Sequence, residues 1–479
     1  MDWSAKLFDP ASVAVIGASE DPRKPGGTIF GNLRASCARL YPVNPKASSI
    51  SGYPCYPSIR DVPESVDLAV VAVPASAVPT VVEECVEKRA GVILVISGGF
   101  GETGAAGREV ERHLVGLARA NAARILGPNT VGIYVPATGL DTTFMLPNVW
   151  RRPPAGPVAL VCQSGAIGLD AAEALAASGS GISAMVVLGN KCDLDESDFV
   201  EVFAEDPATR CIALYLEDFA NGRRFFEVAS RVSPKKPIVV AKAGRSEAGA
   251  RAAMLHTGAL AQSDRVVDGA LRQAGVVRAT DVADLADYAR VLCAADPPAR
   301  PRMAVLTVAG GYGVLLSDLL AALDHGAGPT LATLDEATAR RLRELALPFA
   351  ATQNPIDLTG SVTNAMLDHV LETLEEAPSV DAILLAMVPY PPLMDEGVID
   401  IVQHWHQRGP KPLIAVFTGR VYQGDCLRRL RRAGVLAYDD PWRAVRAVGA
   451  LSQRGSFLRG ARDLAARDPG ASDRRERDG

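Results

Sequence analysis

Short apolar runs, rich in Val, Ile and Leu, recur along the chain with helix-length segments between them. The first group is "SVAVIGAS", "ARLYPVNP", "VDLAVVAVP", "GVILVISGGF" and "ARILGPNTVGI". These runs end in Gly, Pro, Ser or Asn, and near-continuous apolar runs of this kind predict strands buried on both faces of a parallel sheet. The segments between them, such as "PTVVEECVEKRA" and "REVERHLVGLARANA", carry apolar residues at helical spacing. Strands alternating with helices form a βαβ series, which predicts a doubly wound α/β sheet with loops at the carboxyl ends of its strands.

Pro153, Pro154 and Pro157 interrupt the pattern, and a second series follows: "GPVALVCQSGAIG", "GISAMVVLGNK", "CIALYLEDF" and "KPIVVAKAG". The proline-rich "CAADPPARPRMAV" marks another break, before "MAVLTVAGGYGV", "DAILLAMVP" and "KPLIAVFTG". Three α/β domains are therefore expected, over residues 1–150, 151–297 and 298–458, with a charged tail at 459–479 that lacks the apolar residues to order itself. The second and third share a strand, a small-residue turn and a helix ("VCQSGAIGLDAAEAL", "TVAGGYGVLLSDLL") and read as relatives of one another.

Composition narrows the class. The length of 479 residues agrees with about three domains at ~150 residues each. A hydrophobic fraction of 48% and a charged fraction of 22% are ordinary for a globular protein. A net charge of −5 supplies no basic field for nucleic acid or an anionic membrane. The eight cysteines stand singly, with no CxxC pair to suggest a zinc site or a disulfide framework. No signal peptide is visible, and no apolar run reaches the ~18–20 residues that span a bilayer. A cytoplasmic enzyme is the expectation.

Candidate chemistry sits in the turns. "VIGASEDPRKPGGTI" follows a strand and opens a helix, and Gly17, Gly26 and Gly27 let backbone N–H groups approach a phosphate there. In a standard dinucleotide fold an acidic residue ends the second strand and holds a ribose hydroxyl. Here "YPVNPK" puts Lys46 in that place, which favours an additional phosphate. "SGGFGE" (Ser97 to Glu102) and "GPNTVG" (Gly127 to Gly132, with Asn129) also end strands and suit an extended ligand. In "CQSGAIG", Ser164 and the N–H groups after it form an anion cradle at a helix start. A serine hydrolase would read GxSxG, but Gln163 precedes Ser164 and no Asp-then-His follows suitably. His256, in "AGARAAMLHTGALAQSD", lies among small residues that leave room for a bulky group on a ring nitrogen, as phosphoryl transfer to nitrogen requires. Glu217, after "ALYL", is placed to accept the other ring N–H and fix the tautomer.

Together these stretches resemble the α-subunit of the NDP-forming acyl-CoA synthetases, the family of ADP-forming acetate–CoA ligase, related to succinyl-CoA synthetase. The match is carried by "SVAVIGASEDPRKPGG", "YPVNPK", "DLAVVAVPA", "ISGGFGETG", "LGPNTVG", "QSGAIG", "LGNKCDLDESD", "ALYLED", "KAGRSEAGARAAMLHTGALAQSD" and "NPIDL", in the family's order over most of residues 1–450. The resemblance implies a CoA-binding Rossmann-like domain followed by two flavodoxin-like domains. It implies that acyl-CoA, phosphate and ADP reversibly give the acid, CoA and ATP through an acyl phosphate and phosphorylated His256. Glu217 would orient His256, and Ser164, Gly165 and Ala166 would cradle phosphate. Gly17, Ala18, Ser19, Lys24, Lys46, Pro74, Ser97, Gly98, Gly99 and Asn129 would hold CoA. The chain departs from the pattern at Thr130, where the family often has Cys, at "SGGF" for "SAGF", at "AQSD" for "AGSD" and at Pro25 inside the first loop.

The family's nucleotide site, for ATP or ADP with Mg, belongs to an ATP-grasp domain, and no such segment is found in this chain. The resemblance therefore implies a separate ATP-grasp β-subunit in an α2β2 assembly, with His256 on a swinging loop between two sites and a small acid as the other substrate. No metal site is expected on this chain. The rival readings are a CoA- or acyl-CoA-binding regulatory protein without ligase activity, and an NAD(P)-dependent oxidoreductase, against which Lys46 and the long first loop argue.

Overall fold

A computed structural model describes residues 2–36, 38–257, 263–294, 298, 300–323, 328–388 and 391–467; the side chains of 2, 254–257, 420–423 and 464–467 lie outside that description. The chain forms two compact units, one of Met1–Ala176 with Gly181–Leu285, the other from Ala286 onward with Ala177–Ser180.

The first unit holds two sheets. The first is built from β1 (Ser12–Ile16), β2 (Arg39–Val43), β5 (Leu68–Val71), β6 (Val92–Val95) and β7 (Arg124–Leu126), all parallel, in the order β2-β1-β5-β6-β7. A two-stranded hairpin, β3 (Ser49–Ile50) with β4 (Tyr53–Pro54), follows β2. The second sheet combines β8 (Ile133–Val135), β9 (Leu140–Asp141), β10 (Ala155–Cys162), β11 (Ile182–Val187), β12 (Cys211–Leu216), β13 (Ile238–Lys242) and β14 (Val277–Ala279), in the order β14-β13-β12-β10-β11-β8-β9. Strands β10 to β14 are parallel, while β8 joins β11 antiparallel. β8 and β9 lie before the expected boundary at 150 yet extend the second sheet. One apolar cluster runs from Val13, Leu68 and Leu94 through Leu126 and Ile133 to Val161 and Leu214, so the two sheets share a core. Trp3 and Phe8 from the N-terminal helix Asp2–Phe8 pack edge-on against Phe199 at 5.6 and 6.2 Å, which ties the start of the chain to the second sheet's helices.

The second unit carries β15 (Arg302–Thr307), β16 (Thr330–Leu331), β17 (Ile356–Asp357), β18 (Ala382–Met387), β19 (Leu413–Phe417) and β20 (Leu436–Tyr438), in the order β16-β15-β18-β19-β20, with β17 also on β15. Its last helix, Pro441–Arg467, continues past residue 459, where the composition suggested a tail; the remainder of 459–479 lies outside the described residues.

In the first two sheets the first parallel strand sits between the second and the third, and in the last β15 sits between β16 and β18. The chain thus leaves the first strand on one side and returns on the other, which opens a crevice at the carboxyl ends. In the first sheet that crevice is bordered by the turns after β1 and β5, and in the second by the turns after β10 and β12.

Candidate functional site

The turn after β1 packs backbone directly on backbone. Gly17 has φ +91°, and a Cβ there would stand 2.3 Å from the Ala72 carbonyl oxygen, so only glycine fits. Gly26 is held against Gly17 in the same way, with 2.1 Å between its would-be Cβ and the Gly17 oxygen. The Gly17 N–H donates to Val43 O (2.9 Å), and Asn44 Nδ2 donates to Ala18 O (2.8 Å), which joins the turns after β1 and β2. Ser19 Oγ accepts the Asp21 N–H at 3.1 Å. Lys24 caps the helix Pro25–Leu33, whose first residue is the proline singled out inside this loop; with fixed φ and no N–H, proline suits a helix start. Lys24, Lys46 and Pro74 are exposed, as are Gly98 and Gly99. The Ser97 hydroxyl donates to Val73 O, which joins the turns after β5 and β6. All nine of these candidate CoA residues therefore sit in turns at one carboxyl edge, Ala18 with its side chain buried in the core. Asn129 lies on the next turn, at φ +60° after a cis Gly127–Pro128 bond, and its N–H donates to Ser97 O at 2.9 Å.

A second feature is a cavity of about 540 Å³ where Asn129 meets the second sheet's crevice. Asn129, Ser164, Gly165, Ala166 and Glu217 all line it. The helix Gly165–Ala177 starts at its wall, so the positive end of the helix dipole and its unpaired N–H groups face the space. Apolar walls come from Ile96, Val131 and Phe144.

Sequence reasoning missed a polar framework around this cavity. Gln163 Oε1 accepts the N–H groups of Glu217 (2.8 Å) and Asp218 (3.2 Å), while its Nε2 donates to Asp218 Oδ1 (2.9 Å). Lys191, with a side chain 3% exposed, ion-pairs with Asp218 (2.7 Å) and with buried Glu196 (3.1 Å). Burial alone would raise the Asp218 carboxyl, but Lys191 outweighs it and holds the group below the usual range. Lys242 Nζ donates to the carbonyls of Glu217 (2.6 Å) and Ala243 (2.7 Å). Bonds of this charge-assisted kind contribute about 1.5–3 kcal/mol each, and removing a buried partner costs at least as much. On the opposite wall, Asn190 Nδ2 donates to both Glu102 (2.6 Å) and Glu111 (2.8 Å), and Asn190 Oδ1 accepts from Asn129 Nδ2 (3.3 Å). Glu111 occupies the buried stripe of its helix with Gly107, Leu114 and Ala118, and burial pushes its carboxyl up. A signal was there to find: "QS", "GNK" and "ED" each follow directly on an apolar strand.

Thr130, noted as a departure, is buried; its hydroxyl donates to Val187 O and accepts the Gly132 N–H at 3.0 Å. His256 lies in the helix Glu247–Thr257 rather than in the loop expected for it. Ala248, Ala250, Ala252 and Ala253 explain this, because alanine is the strongest helix former. That helix approaches the turn Gly101–Thr103, whose Gly101 and Glu102 line the cavity. The His256 side chain, and with it any contact to Glu217, lies outside the described residues. Among the described residues no group of three or more His, Cys, Asp or Glu side chains is placed to hold a metal ion, and no helix is long and apolar enough to cross a membrane.

Three family models match the chain. A CoA binding domain covers residues 11–136, a succinyl-CoA ligase-like flavodoxin domain 155–292 and a ligase-CoA domain 303–465. The chain is 39% identical over 459 residues to the acetate–CoA ligase [ADP-forming] I subunit alpha of Pyrococcus furiosus, covering 93% of this chain and 96% of that one. It is 39% identical over 448 residues to acetate–CoA ligase [ADP-forming] I of Archaeoglobus fulgidus, covering 94% of this chain but 63% of the relative. Among solved structures, the dinucleotide forming acetyl-coenzyme A synthetase 1 of Ca. Korarchaeum cryptofilum, in complex with phosphate and ADP, superposes with a TM-score of 0.88 at 35% identity, over 96% of this chain and 99% of that one.

Proposed function

The chain belongs to the family of ADP-forming acetate–CoA ligase α subunits, and from that premise we propose that it cleaves an acyl-CoA with phosphate, stores the phosphoryl group on His256 and passes it to ADP. The observation that carries the reading is the cavity at the second sheet's crevice, with a helix N-terminus at one wall and Glu217 at another.

CoA lies along the first sheet's carboxyl edge, where Gly17 and Gly26 keep side chains out of the turn and Lys24 and Lys46 meet its phosphates. Asn129 and the phosphate cradle of Ser164, Gly165 and Ala166 line the same cavity, which supports a thioester end reaching that cradle. A phosphate oxygen adds to the thioester carbonyl, the thiolate leaves and is protonated as CoA, and an acyl phosphate remains. A ring nitrogen of His256 then attacks phosphorus, and the acid leaves as its carboxylate. Glu217 accepts the other ring N–H, so the attacking nitrogen carries the lone pair and the positive ring that forms is stabilised. Reversal makes acyl-CoA. Acetate and other small acids are the first substrates to try.

The nucleotide, with Mg, binds an ATP-grasp β-subunit in an α2β2 assembly, and the enzyme works in the cytoplasm. One finding supports the partner: the relatives named "subunit alpha". Incubating the chain with acetyl-CoA and radiolabelled phosphate will yield a base-stable, acid-labile label on wild type and none on His256→Asn. Equal labelling of both would rule out His256 as the carrier.

A further inference from the structure

The end of β12 is built in an unusual way. Its last backbone rungs are Gln163 N–H to Tyr215 O (2.9 Å) on the β10 side and Ala243 N–H to Leu216 O (2.8 Å) on the β13 side. At Glu217 the ladder continues with side chains. The Gln163 amide oxygen takes the Glu217 N–H (2.8 Å), and the Lys242 ammonium donates to the Glu217 carbonyl (2.6 Å). Gln163 is 7% exposed and Lys242 8%.

A buried ammonium is an expensive way to satisfy two backbone carbonyls, those of Glu217 and Ala243. Burial pushes the Lys242 group below the ordinary lysine value. The Gln163 amide is committed twice more, to Asp218 N–H and Asp218 Oδ1, and Asp218 is locked in turn by Lys191. Both clamps are also adjacent in sequence to the parts they would coordinate. Gln163 precedes Ser164 at the cavity wall, and Lys242 ends the strand that leads into the helix bearing His256.

We propose that Gln163 and Lys242 are positioning residues for Glu217, freezing its backbone from both sides so that its carboxylate is fixed for phosphoryl transfer to and from His256. This rests on the function proposed above. The clamp acts on the histidine step and not on the attack at the thioester, which takes place without Glu217.

Arsenate separates the two steps. It attacks the thioester carbonyl as phosphate does, releasing CoA, and water then hydrolyses the acyl arsenate to acid and arsenate with no need of the histidine. For wild type, Lys242→Met and Gln163→Met, the rate of His256 labelling from acetyl-CoA and radiolabelled phosphate is compared with the rate of arsenate-dependent CoA release. The ratio of labelling to arsenolysis is expected to fall at least tenfold in each variant, as in Glu217→Gln. Lys242→Arg, which keeps a charged donor, is expected to recover part of it. A general packing defect would lower both rates together, so an unchanged ratio in a folded variant overturns the proposal. Either variant alone carries the test if the other does not fold. Failure of wild type to become labelled at all would instead overturn the function reading.

Discussion

The two crevices of the first unit share a topology but differ in how they are furnished. At the first sheet the turns are glycine-rich, backbone lies on backbone, and the charged candidates Lys24 and Lys46 stand exposed. At the second sheet the turns bring Gln163, Lys191, Glu196, Glu217 and Lys242 together as buried groups. An exposed edge suits a long, charged ligand that binds and leaves. A buried, mutually bonded set suits groups that must hold one geometry while charge moves, because in a low dielectric both pairing and misalignment weigh more. On the function proposed above, the same strand order serves binding at one place and group transfer at the other, and the turn residues decide which.

Substitutions that separate the two crevices sharpen this contrast. Glu217→Gln is expected to give the largest effect, about a hundredfold loss in turnover or more with little change in the KM for CoA, since on the proposed function it removes the carboxylate that orients the His256 ring and stabilises its positive form. A comparable rise in KM would erase the distinction. Gly17→Ala acts at the other crevice: a Cβ 2.3 Å from Ala72 O at φ +91° is expected to cost roughly 1–3 kcal/mol of stability, read as a lowered Tm, and to weaken CoA binding. Lys24→Ala with Lys46→Ala should raise the KM for CoA roughly three- to tenfold, with the gap narrowing as salt is added, because exposed charge pairs are weak and screened. An effect that salt leaves untouched would place these lysines elsewhere in the mechanism.

The smallest expected effect concerns Glu111. Burial raises its carboxyl above the ordinary glutamate value, so just above that value the folded chain keeps a proton that the unfolded chain has released. Stability contributed by this group therefore falls as pH rises through that window. Glu111→Gln, with no charge to bury, is expected to flatten the dependence of Tm on pH just above the ordinary glutamate value. A slope identical to wild type would mean that burial does not govern this carboxyl.

The βαβ pattern, the glycine turns and the run around His256 were legible because each is local: uninterrupted apolar residues make buried strands, and only glycine adopts the conformation at Gly17. The boundary at residue 150 was less legible. The prolines mark a break in pattern, but Ile133–Val135 pairs across it with Met185 and Val186 and carries Leu140–Asp141 with it, and pairing partners are chosen in space. The helix through His256 was also hidden, because small residues read equally as loop or helix until alanine's propensity is weighed.

What the sequence determined by itself was the class of fold and the family, both carried by short stretches whose chemistry does not depend on distant neighbours. The tertiary structure decided which of those stretches meet. It placed Asn129 beside Ser164 and Glu217, and it closed the framework of Gln163, Asp218, Lys191 and Lys242 around them. A buried polar side chain is stable only when its partners arrive from other strands, and a linear sequence does not show which strands will be neighbours.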